Sequence, residues 1–218
     1  MTSCTVTGTI TNVGTANNVP SDAIIKSGST DVTSNYSITY VNGTLTITAR
    51  IVTLTWGTVT WTYDKTAHST TCTAGNLCSD DTCTVTLTGN SITNKGTTTV
   101  TASSLSNSNY ALPSSKTNTL TINARTVTLS WGTITWTYDG QTHSTTCTAG
   151  NLCSGDSCTV TLTGNSVGAD VGTATVTASS LSNSNYALPS SKTATLTINK
   201  ATGYLTATIT NRTYTGSA

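Results

Sequence analysis

Phenylalanine and glutamate are both absent from the 218 residues, and the eight acidic residues are all aspartate. Glutamine occurs once and methionine once. A chain without Glu, almost without Gln and short of Lys lacks the residues that favour helix surfaces, which excludes a helical protein. Charged residues make up only 8%, and nine basic residues face eight acidic ones without clustering. Binding to phosphate backbones needs a basic patch, so nucleic acid is excluded as a partner. No apolar run approaches the ~20 residues of a membrane helix. Met1 is not followed by a basic segment and an apolar stretch, so no secretory signal is visible. With no Glu there are no paired Glu carboxylates for glycoside hydrolysis, and the aspartates sit mostly in turn contexts.

What fills the chain is threonine, about a quarter of all residues. Disorder would show few β-branched residues and high net charge; here the net charge is +1 and the β-branched residues are abundant. Apolar residues alternate with threonine at period two: Val85 and Leu87; Leu120 and Ile122; Val127, Leu129 and Trp131; Val160 and Leu162; Leu196 and Ile198. This is the pattern of strands with one buried and one wet face. Threonine suits the wet face because its branched Cβ favours extended backbone while its hydroxyl stays solvated.

The chain is internally duplicated with a period near 75 residues. Trp56, Trp61, Tyr63, Asp64, His68, Cys72, Cys78 and Cys83 return as Trp131, Trp136, Tyr138, Asp139, His143, Cys147, Cys153 and Cys158. The run Ser104 to Lys116 returns as Ser180 to Lys192. The expected organisation is a partial repeat over 1–50 (its C-terminal strands), full repeats over 51–125 and 126–201, and a partial repeat over 202–218 (its N-terminal strands). Cys4 to Thr7 matches Cys83 to Thr86, Leu45 to Arg50 matches Leu120 to Arg125, and Tyr214 and Gly216 match Tyr138 and Gly140. In the second full repeat, strands are predicted near 126–131, 133–138, 144–148, 157–163, 173–179, 185–188 and 193–198, with Gly, Asn and Ser between them. The fold class this implies is all-β: tandem immunoglobulin-like antiparallel β-sandwich domains.

The run Asn35-Tyr36-Ser37-Ile38-Thr39-Tyr40-Val41-Asn42-Gly43-Thr44-Leu45-Thr46-Ile47-Thr48 resembles the closing strands of MBG-type repeats. Thr137-Tyr138-Asp139-Gly140 and Thr213-Tyr214-Thr215-Gly216 resemble the tyrosine-glycine motif near their start. The resemblance covers essentially the whole chain. It implies bacterial immunoglobulin-like modules of long secreted and surface-attached proteins, and it is silent about a ligand. The cysteines depart from that pattern.

Several residue sets invite chemistry. Val52, Leu54 and Trp56 share one parity and Val59, Trp61 and Tyr63 the other, with Gly57 between. A phase slip at a glycine marks a bulge or a change of sheet. Trp56, Trp61, Tyr63, Trp131, Trp136 and Tyr138 are therefore expected as core aromatics; an exposed ring would instead offer a sugar-stacking platform. The Cys-x5-Cys-x4-Cys spacing suggests disulfides Cys72–Cys83 and Cys147–Cys158 across neighbouring strands, with Cys78 and Cys153 left over. The competing reading is a zinc site from His68, Cys72, Cys78 and Cys83, repeated at His143, Cys147, Cys153 and Cys158, although the short Cys-x2-Cys knuckle is missing. A Cys–His nucleophile would need Cys72 near His68 plus an orienting group, and duplication of the set favours structure over a unique active site. The chain is thus expected to be non-enzymatic and without cofactor: a spacer or stalk segment of an extracellular or cell-surface adhesin-like protein, with neighbouring repeats as its partners. The alternatives are a module that binds a glycan or host surface protein, and a subunit that self-associates head to tail by strand exchange between its two partial repeats.

Overall fold

The computed structural model describes residues 2–208 and 211–216; Met1, Ile209, Thr210, Ser217 and Ala218 lie outside the described residues. The chain is all-β. Among the described residues there is no α-helix, only a 3-10 turn at Thr33–Asn35. It divides into two compact units: residues 1–61 with 66–122, and residues 62–65 with 123–218.

The first unit begins with β1 (Thr2–Thr7), β2 (Gly14–Ser27), β3 (Thr30–Asp31) and β4 (Gly43–Ile47). The long β2 is the hub: its first residues pair with β4, its middle with β1 and its end with β3, all antiparallel. None of the described residues before Val52 is buried. Val6, Val19, Tyr36, Tyr40 and Val41 are all exposed, so this partial repeat presents an open sheet.

Then follow β5 (Arg50–Ile51), β6 (Thr53–Trp56), β7 (Thr60–Thr62), β8 (Cys72–Gly75), β9 (Val85–Thr88), β10 (Gly96–Leu105), β11 (Tyr110–Ala111) and β12 (Thr117–Asn123). Strand β6 pairs with β8, while β7 joins a sheet in the order β7-β12-β10-β9. The parity slip at Gly57 is therefore a change of sheet. A Cβ on Gly57 would stand 2.6 Å from the Thr71 hydroxyl, which would have to shift to admit it, and the Gly57 N–H donates to the Thr71 carbonyl at 2.9 Å.

The second unit repeats the plan with β13 (Arg125–Thr126), β14 (Thr128–Trp131), β15 (Thr135–Thr137), β16 (Cys147–Gly150), β17 (Val160–Thr163), β18 (Gly172–Leu181), β19 (Tyr186–Ala187) and β20 (Thr193–Asn199). Its main sheet runs β15-β20-β18-β17, with β14–β16 and β13–β19 as separate pairs. Threonine alternation places Leu196 and Ile198 of β20 inward, 0% and 1% exposed, against Val176 and Val167. Burying two such side chains contributes about 1.5–3 kcal/mol each. Trp131 from β14 packs on this same cluster. The β5–β11, β13–β19 and β15–β20 pairings are parallel rather than antiparallel.

Where the strand ladder is interrupted, an asparagine replaces it. Asn165 Oδ1 accepts the Thr145 N–H at 2.8 Å and its Nδ2 donates to the Thr145 carbonyl at 2.7 Å. Asn90 does the same for Thr70. Both threonines are buried, so the two amides supply the bonds a neighbouring strand would make.

Residues 202–208 and 211–216 form no strand, and Tyr204, Leu205 and Tyr214 are exposed. Of the strands expected over 202–218, none lies within the described residues 202–208 and 211–216; Ile209, Thr210, Ser217 and Ala218 lie outside the described residues. A short strand has no independent stability without a paired neighbour.

Candidate interaction site

The aromatic and cysteine residues singled out by the sequence fall into separate places. Trp56, Trp61, Trp131 and Trp136 are half-buried rather than enclosed, Tyr63 is buried, and Tyr138 is exposed. Each sheet-edge tryptophan is roofed by a histidine: Trp61 stacks on His68 at 4.9 Å and Trp136 on His143 at 4.8 Å. His143 Nε2 also lies 3.0 Å from Asp139 Oδ1. The backbone N–H of Gln141 and then this histidine hold the Asp139 carboxyl below its usual range. His68 and His143 also bridge to Ile92 and Val167 in the backbone. They belong to the strand framework, and among the described residues no three His, Cys or Asp side chains converge as a metal set would.

All seven cysteines are free thiols, so the expected Cys72–Cys83 and Cys147–Cys158 disulfides are not formed. The register explains this. Thr73 pairs with Thr84 and Thr148 with Thr159 in antiparallel bridges. Cys72 and Cys83 then sit on a diagonal, where alpha carbons are about 7–8 Å apart, beyond the ~4.4–6.8 Å a disulfide spans. Burial pushes the Cys72 and Cys147 thiols up, away from the thiolate form that nucleophiles and metal ligands require.

A different cluster, which no local sequence motif marks, organises the loop between Asn151 and Cys158. Asn151 takes a left-handed backbone, φ 61°, and its side chain and carbonyl receive Arg125: Nη2 to Oδ1 and Nε to the carbonyl, both at 2.8 Å. The Asn151 amide donates in turn to the Thr126 carbonyl at 3.0 Å. Tyr186, 4% exposed, accepts the Cys153 N–H at 2.8 Å and donates its hydroxyl to Asp156 Oδ2 at 2.8 Å.

Asp156 is the centre. It also accepts the Tyr63 hydroxyl at 3.0 Å and forms an ion pair with Lys65 Nζ at 2.9 Å. Tyr63 packs edge-on against Tyr186, ring centroids 5.5 Å apart, and Lys65 donates to the Ser154 carbonyl at 3.0 Å. Lys65 and then Tyr186 hold the Asp156 carboxyl below its usual range; burial and then the carboxylate push the Tyr63 hydroxyl up. Asp156 also raises the Lys65 ammonium. The carboxylate thus joins one residue pair from early in the sequence, Tyr63 and Lys65, to the loop around it, all within the second unit.

The first unit carries the same loop with fewer partners. Arg50 donates to Asn76 Oδ1 at 2.7 Å, and Asn76 donates to the Ile51 carbonyl at 3.1 Å. Tyr110 accepts the Cys78 N–H at 2.8 Å and donates to Asp81 Oδ2 at 2.5 Å. The hydrogen bond to Asp81 is the main reason the Tyr110 hydroxyl is pushed up to about 12. Among the described residues Asp81 receives no side chain besides Tyr110, and it opens on a cavity of about 180 Å³ lined also by Thr48, Arg50 and Cys78. The signal that could have found these clusters is the joint recurrence of Arg50, Asp81 and Tyr110 as Arg125, Asp156 and Tyr186.

The chain matches no family model, no curated protein and no solved structure.

Proposed function

We propose that this chain is a non-enzymatic spacer or stalk segment, built of tandem immunoglobulin-like sandwiches, from a bacterial extracellular or cell-surface adhesin-like protein. The observation that carries this reading is the recurrence of whole side-chain clusters. The Trp–His stack, the Asn–Thr clamp, the Arg–Asn latch and the Tyr–Asp bond each occur in both repeats with nearly equal distances. In both repeats the asparagines of the clamp and of the latch bond backbone groups. Among the described residues no buried side-chain nitrogen or oxygen lacks a partner, whereas reactive groups are commonly left poised. Sparse charge and a threonine-rich surface suit an exposed filament, and the resemblance to MBG-type repeats supports the surface location.

Pulling on single molecules tests this. A spacer should resist force and release its two full repeats in separate steps. A period near 75 residues gives about 25 nm of chain per step at the extended limit. Release of the whole chain without a force peak would refute it. A second reading, a module for a glycan or host protein, draws on the exposed Tyr40 and Val41, which line a cavity of about 310 Å³. Saturable binding on a glycan array, lost in Tyr40→Ala, would favour it over the spacer.

A further inference from the structure

In the second unit the edge of β20 is completed by β15, in parallel, with Thr135 opposite Thr197, Trp136 opposite Ile198 and Thr137 opposite Asn199. The next N–H, that of Tyr138, donates to the Asn199 carbonyl at 2.8 Å. Strand β4 is the counterpart of β20: Leu45-Thr46-Ile47 answers Leu196-Thr197-Ile198. Among the described residues no strand pairs with the outer edge of β4. An open edge is a template for a further strand.

The chain also holds a β15-like segment outside any strand. Asn211-Arg212-Thr213-Tyr214 aligns with Thr135-Trp136-Thr137-Tyr138 through the shared tyrosine and the glycine two residues on, and Tyr214 is 92% exposed. Tyr63 shows what a tyrosine at this position does. It follows β7, its N–H donates to the Asn123 carbonyl at 2.9 Å, and its hydroxyl reaches Asp156. Asp81, the counterpart of Asp156, has the matching cavity beside it, and Thr48, the counterpart of Asn123, lines it.

We propose that a second copy of this chain lays Asn211–Tyr214 along the outer edge of β4, parallel to it, and sets Tyr214 into the Asp81 cavity. The register follows β15 on β20: Asn211 opposite Thr46, Arg212 opposite Ile47 and Thr213 opposite Thr48. The Tyr214 N–H donates to the Thr48 carbonyl and its hydroxyl to Asp81. Donor and acceptor surfaces differ, so the contact is heterologous and propagates head to tail. Two positions make it weaker than the intrachain version. Gly216 stands where Lys65 supplies an ammonium, and Arg212 stands where Trp136 packs on the core. The contact is therefore held by main-chain bonds and one tyrosine, and it is reversible.

Sedimentation velocity of the full chain over a concentration series tests this. The expected result is concentration-dependent association that Tyr214→Ala and Asp81→Asn each weaken about tenfold or more, the scale of one desolvated hydrogen bond to a charged group. Tyr214 lies in a strandless segment, so the circular dichroism of Tyr214→Ala should be unchanged. A synthetic peptide of residues 202–216 should bind and dissociate the oligomers. A chain that stays monomeric throughout would overturn the proposal, as would association indifferent to both substitutions, which would mean stacking of the open apolar sheet. Tighter binding of a peptide of residues 127–140 than of 202–216 would also overturn it, assigning the edge to a preceding full repeat. A monomeric chain would leave the spacer reading standing.

Discussion

Replacing Asn165 with alanine should strip the second unit of one of its most concentrated polar contacts. The side-chain amide makes two short hydrogen bonds, 2.8 and 2.7 Å, to the N–H and carbonyl of the single residue Thr145. Thr145 is 7% exposed. Alanine removes both partners at once and leaves two backbone groups with little access to water. An unsatisfied buried group costs about 1–3 kcal/mol. Two, partly relieved by the small void that water can enter, give a loss of about 2–4 kcal/mol. Urea denaturation should show this as a lower midpoint with an unchanged slope for the affected transition. Hydrogen exchange localises it: the Thr145 amide should lose protection, and with it the Val167 and His143 amides, which bond each other's carbonyls at 2.9 and 3.2 Å. Asn90→Ala should do the same to Thr70 in the first unit. A loss under about 0.5 kcal/mol, with Thr145 still protected, would refute the clamp, because that is the range of an ordinary surface substitution.

Trp136→Ala should cost about 2–3 kcal/mol, at or below the foot of the range for a fully buried large aromatic, because the ring packs on the cluster that holds Leu196 and Ile198 and stacks on His143 at 4.8 Å but stays half-buried; a thermal melt within error of the parent would contradict this. Asp156 has its carboxyl lowered in the folded chain, so its contribution is complete above its ordinary value of 3.8 and is lost as pH falls through the depressed value below that. Acid titration should show this loss in the second unit, and Asp156→Asn should abolish that part of the pH dependence; an identical acid profile in the variant would count against the carboxylate-centred cluster.

Much of the framework was legible from alternation. The expected strand over 193–198 is β20 at Thr193–Asn199, and that over 173–179 is the core of β18. Leu120, Ile122, Leu196 and Ile198, read as inward-facing, are all 0–1% exposed. Period-two burial is a local property, and threonine at every other position leaves one choice of face. The change of sheet at Gly57 was also legible, since a parity slip cannot be absorbed by a continuous strand. Pairing direction was not, because a three-residue strand such as β15 carries no signal of which neighbour it joins. Tyr138 was misread as core: it shares its motif with Tyr63, but it is 46% exposed while Tyr63 is 4% exposed. The difference is a partner far along the sequence, Asp156, which no local pattern announces. The cysteine spacing suggested a bond that a diagonal register does not permit, and register is set by the loop between the strands rather than by the positions of the thiols.

The second unit takes Tyr63 and Lys65 from ahead of the first repeat's own loop and strands, so the folded body and the sequence period are out of phase. No contiguous excision reproduces it. A fragment starting at residue 126 keeps every strand from β14 to β20 yet arrives with Asp156 answered by Tyr186 alone, in the state Asp81 occupies with Tyr110. The repeat in the sequence and the compact unit in the structure therefore do not share their boundaries. Any shuffling that joins this repeat to a foreign neighbour has to bring a tyrosine and a lysine spaced as 63 and 65 with it, or leave that carboxylate short of donors.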